Sequence, residues 1–131
     1  MNDFKENSLL ITELRELIVK DCCEHLNNVQ NCGLLIDIPD EYETLATGFA
    51  ITNNNKKDSW LIENMQIFDK AIILREKMGK KWDSMFLVTN FKNNQFLAEY
   101  YVGIETSWRK SLFDHVREWT YYIKMVENYN L

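Results

Sequence analysis

Apolar side chains recur at Leu10, Leu14, Leu17 and Ile18, a spacing that puts them on one face of a helix, with Glu13, Arg15, Glu16 and Lys20 around the other side. Asn7 or Ser8 can cap this helix, and the pattern fades near Asn27-Asn28. A short apolar run, CGLLIDI from Cys32 to Ile38, then reads as a strand, closed by Pro39, which has no backbone donor and favours extended geometry before it. TLATGFAIT reads as a second extended segment, and the polar NNNKKD after it reads as a loop.

Between Ser59 and Met78 the residues Leu61, Met65, Phe68 and Ile72 are spaced four, three and four apart, which predicts a helix capped by Asp58 or Ser59. Gly79 supplies a left-handed stop, and Lys77, Lys80 and Lys81 complement the negative end of the helix dipole. Two strand-like runs follow across residues 82–102. Phe86 and Val88 share a face with Trp82, Met85 and Leu87 take the other, and Phe96, Ala98, Tyr100 and Val102 alternate with Leu97, Glu99 and Tyr101 on the return. Asn93-Asn94 sits at the turn, where asparagine tolerates positive φ. The last pattern is the most regular: Trp108, Leu112, Val116, Trp119, Ile123 and Val126 predict a long C-terminal helix. Together these elements predict an α+β fold. A small antiparallel sheet with a central hairpin at about 82–102 is packed by N-terminal, central and long C-terminal helices, in one domain over residues 1–131.

Composition narrows the function more than it identifies it. A formal charge of −5 argues against direct nucleic-acid binding, which starts from clustered Lys and Arg, and favours a basic protein partner. Three cysteines, Cys22, Cys23 and Cys32, suit a reducing compartment. The start MNDFKENSLL does not read as a signal peptide, and no run of about 18 apolar residues predicts a membrane span. The expectation is a cytoplasmic protein that does not engage a membrane.

Candidate chemistry is sparse. Cys22, Cys23, His25 and Cys32 match no paired metal-ligand spacing, so no metal is expected. Catalysis through His25 and His115, or through His115 and a thiol, needs a convergence that no sequence motif signals; no catalytic residues, cofactor or enzymatic activity are expected. The carboxylates Asp37, Asp40, Glu41 and Glu43, around a single proline, form an acidic connection suited to a basic partner. Tyr101, Tyr121 and Tyr122 fall off the inferred apolar stripes and join them as candidate partner-binding residues, whereas Trp108 and Trp119 lie on a stripe.

The order of elements, with W-D-S-M-F-L-V-T, a polar turn and Q-F-L-A-E-Y-Y, resembles the YezG-like immunity proteins of bacterial polymorphic toxin and contact-dependent growth inhibition systems. The likeness is firmest over Trp82 to Tyr101. The resemblance implies a cytoplasmic protein that binds and neutralises a cognate toxin domain, often a nuclease, and it supplies no catalytic residues. A small adaptor or ligand-binding domain without catalytic activity is the alternative.

Overall fold

The computed structural model describes residues 2–40, 43–101 and 122–129. Among the described residues the fold is α+β, a five-stranded antiparallel sheet with three helices. Helix α1 spans Asn2–His25, β1 Val29–Asp40, β2 Glu43–Thr52, β3 Lys56–Trp60, α2 Gln66–Lys77, β4 Ser84–Asn90 and β5 Gln95–Tyr101. Residues 122–128 are helical and are termed α3. The strand order is β3-β2-β1-β4-β5, so β1 lies at the centre and the hairpin read from residues 82–102 forms one side as β4 and β5.

Alternation along the strands divides the apolar residues between the two faces of the sheet. Cys32, Leu34, Ile36 and Ile38 of β1, with Met85 and Leu87 of β4, face α1 and α2, where Leu14, Ile18, Ile67, Ala71 and Leu74 complete one core. Leu35, Phe49, Ile51, Phe86 and Val88 point the other way and meet Tyr122, Ile123 and Val126 of α3. Trp82 belongs with Met85 and Leu87, not with Phe86 and Val88, because β4 begins only at Ser84 and the strand alternation does not reach back to it. Of the C-terminal apolar stripe, Ile123 and Val126 are buried as the periodicity predicts; Trp108, Leu112, Val116 and Trp119 lie outside the described residues.

Two glycines permit close approaches. A Cβ on Gly33 would sit 2.8 Å from both the Phe86 ring and the Val126 side chain, so glycine here lets α3 lie against the sheet. A Cβ on Gly48 would fall 2.4 Å from the Trp60 ring, which covers its cross-strand partner.

The polar segment NNNKKD is only half a loop. Asn53–Asn55 forms a 3-10 turn, with Asn54 and Asn55 at φ 66° and 59°, and Lys56 begins the edge strand β3. Asparagine occupies these left-handed positions at little cost, which explains the last two of the run. The helix expected from Ser59 begins instead at Gln66, where the Asn64 side-chain carbonyl accepts the Gln66 amide. Asn94 takes φ 56° in the β4-β5 turn, as the sequence reading requires.

Candidate functional site

The acidic connection divides into unlike parts. Asp37 is within β1, is buried, and its Oδ1 accepts a 3.0 Å hydrogen bond from the Ser84 hydroxyl on the neighbouring strand. This corrects its assignment to an exposed acidic loop: Asp37 is a cross-strand hydrogen-bonding residue. Asp40 and Glu43 are paired at the ends of β1 and β2, beyond a register shift around Pro39, and Glu41 lies outside the described residues. Of the tyrosines, Tyr101 ends β5 opposite Ser84, and Tyr121 lies outside the described residues. Tyr122 is buried, with its ring 4.8 Å from Phe86 and 5.8 Å from Phe49, which makes it a core residue rather than a surface anchor. Its position at the start of the described turns of α3, facing the sheet, could not be read from a stripe that placed it one step out of phase.

The buried stripe of α2 is out of phase with the one its spacing predicts. Its buried face is Ile67, Ala71 and Leu74, whereas Leu61 is 80% exposed, Met65 64% and Ile72 36%. Ile73 is exposed as well. These residues share the outer side with Asp69 and Glu76, and Glu63 stands exposed in the loop that leads into the helix. The outward side of the β3-α2 loop and α2 therefore combines apolar side chains with charges of both signs, the carboxylates above and the exposed Lys77 one turn beyond Ile73. Apolar groups collected on one outer face in this way are a feature of contact surfaces.

The loop carrying Leu61 and Met65 is held from beneath by Asp21 of α1. Its buried carboxylate accepts the Trp60 indole N–H at 2.9 Å, the Asn64 amide at 3.1 Å and the Glu63 amide at 3.4 Å. One turn further on, His25 Nδ1 donates to the Asp21 carbonyl at 2.7 Å, and Nε2 lies 3.2 Å from the Glu63 carboxylate. Both contacts favour the protonated imidazole, first the backbone carbonyl and then Glu63, and raise its pKa above the ordinary value. Lys70 of α2 pairs with Glu13 of α1 at 2.7 Å, so the helices run antiparallel, with Asn64 beside Asp21 and Lys70 beside Glu13.

Cys22 and Cys32 are buried against one another, and that contact, followed by burial, drives the Cys32 thiol well above its usual pKa. A thiol so shifted is a poor nucleophile and a poor metal ligand at neutral pH. His25 is already engaged by Asp21 and Glu63, and among the described residues no group of three His, Cys, Asp or Glu is arranged to hold a metal. His115 lies outside the described residues. No helix among the described residues is long and apolar enough to cross a membrane. Compared with known proteins, the sequence matches no family model and no curated protein.

Proposed function

We propose that this protein is an immunity protein: it binds a cognate bacterial toxin domain in the cytoplasm and blocks its active site, without chemistry of its own. The observation that supports this reading is the outward side of α2 and its leading loop, where Leu61, Met65, Ile72 and Ile73 are exposed together with Glu63, Asp69, Glu76 and Lys77. Apolar anchors give such a contact its affinity, and carboxylates select a basic partner and speed its capture. A toxin that cleaves nucleic acid presents a basic surface around its active site, which an acidic inhibitor can cover. The resemblance of Trp82 to Tyr101 to the YezG-like proteins supports the same reading.

The test takes as candidate toxin the C-terminal domain of a large secreted protein encoded immediately upstream of this chain, with association followed by surface plasmon resonance and toxin activity followed in parallel. Charge reversal by Asp69→Lys with Glu76→Lys is expected to slow association about tenfold or more at low salt, and the deficit should shrink as salt rises. Wild-type association by this variant would remove the α2 face from the interface. Charge reversal at Asp40, Glu41 and Glu43 asks the same of the β1-β2 end. A purified protein that fails to bind or protect against that toxin would overturn the immunity reading itself. A non-catalytic ligand-binding domain is the second reading, and a cleft between α1, the end of α2 and β5 favours it.

A further inference from the structure

We infer, on the basis of the toxin-binding reading above, that the β3-α2 loop is the part of the face that keeps the toxin domain bound. Leu61 and Met65 are its preformed apolar anchors, and the toxin domain offers them an apolar recess bordered by basic side chains. Among the described residues these two are the most exposed large apolar side chains. Neither belongs to the buried stripe of α2, which is Ile67, Ala71 and Leu74.

Both anchors are held outward by what their neighbours do. Trp60 is buried, lies over Gly48 and gives its indole N–H to Asp21, while Ile62 packs against the α1-α2 core. Leu61 stands between these two inward residues and is left facing solvent. Met65 is fixed in a similar way: the Asn64 amide donates to Asp21 at 3.1 Å, the Asn64 side-chain carbonyl accepts the Gln66 amide at 3.0 Å, and Ile67 is buried. Between the anchors, the Glu63 amide also reaches Asp21. An apolar side chain on a backbone already fixed loses little further freedom when a partner covers it, so more of its contact energy appears as affinity. Differences of this kind act mostly on dissociation, whereas exposed charges act mostly on association. Glu63 lies between the anchors and Asp69 one turn beyond Met65, both exposed, whereas Lys77 is at the far end of α2. The charge next to the anchors is therefore acidic, which fits a recess with a basic border.

The test compares Leu61→Ala and Met65→Ala with Leu9→Ala, which truncates an exposed leucine in the first half of α1. Each full-length variant is run against the candidate toxin domain by surface plasmon resonance. Leu61→Ala and Met65→Ala should each speed dissociation about tenfold or more and change association by less than about twofold. Leu9→Ala should match the wild type in both rates. In the free wild-type chain, NMR relaxation should give the backbone of residues 61–65 order parameters near those of α2, about 0.85. Wild-type binding with dissociation unchanged in both loop variants would overturn the inference and leave the immunity reading standing. Order parameters below about 0.6 across the loop would also overturn it, because the anchors would not be preformed. A wild-type chain that does not bind the toxin domain fails the immunity reading itself, and the anchor assignment falls with it.

Discussion

Asp21 ties α1 to the loop that leads into α2. A carboxylate in a helix is ordinarily solvated, but this one is buried and receives the Trp60 indole and two backbone amides of the loop ahead of α2. Removing it leaves those donors buried without an acceptor, which costs more than the bonds themselves contribute. Asp21→Ala is therefore expected to destabilise the fold by about 2–4 kcal/mol, seen as a lower urea midpoint at unchanged slope. Asp21→Asn, which keeps one acceptor oxygen, should lose less; equal stability of Asp21→Ala and the wild type would show that the loop does not depend on this carboxylate. His25 adds a pH dependence. With its folded pKa raised, its contribution to stability is fully present below the unfolded value of about 6.5 and is lost as pH rises through the folded value. An NMR titration should place the His25 midpoint above that of an unstructured histidine. Since the Asp21 carbonyl is the larger cause, Glu63→Gln should lower the midpoint without returning it to the unstructured value.

Among the elements, α2 shows most clearly what periodicity can and cannot tell. The spacing of Leu61, Met65, Phe68 and Ile72 is that of a core-facing stripe, yet the core takes Ile67, Ala71 and Leu74, which are four and three apart and satisfy the same rule. Ala71 is small and gives only a weak apolar signal, and Leu61 precedes the helix altogether, in the loop that Asp21 holds. Leu74→Ala is expected to cost about 2–5 kcal/mol and Ile72→Ser about 0.5 kcal/mol or less, measured side by side by chemical denaturation. A large loss from Ile72→Ser would return the core to the first stripe. By contrast, β1, β2 and the β4-β5 hairpin were legible, because strand alternation and the asparagine turn are local signals. Edge strand β3 was not: Lys56, Lys57 and Asp58 look like loop in isolation and become a strand only by pairing with β2. Of the candidate site, the acidic character was legible, but the burial of Asp37 and Tyr122 depends on neighbours far away in sequence, Ser84 for one and Phe86 for the other.

At the scale of the molecule, the sheet is the common wall of two cores, and this decides how it comes apart. β1 gives Leu34 and Ile36 to the α1-α2 side and Leu35 to the α3 side, while its backbone is bonded to β2 and β4 on its two edges. The C-terminal turn of α3 is tied to the same wall: the Asn31 amide donates to the carbonyls of Val126 and Tyr129, and the Asn90 amide also donates to Tyr129. Those bonds satisfy carbonyls that a helix end leaves unpaired. Loosening either layer therefore loosens a strand the other layer needs. Ile18→Ala on one side is expected to cost about 2–5 kcal/mol, and Val126→Ala on the other about 1–3 kcal/mol. In both variants the methyl signals of Leu34 and Leu35, which face opposite ways, should vanish at one shared urea midpoint below the wild-type value. If Val126→Ala lowered the midpoint at Leu35 and left Leu34 at its wild-type value, α3 would be a separable layer. The α1-α2 layer with the exposed side of α2 would then hold its shape without it. A shared midpoint instead means that the outer face of α2 persists only while the whole fold does, and is lost with it in one transition.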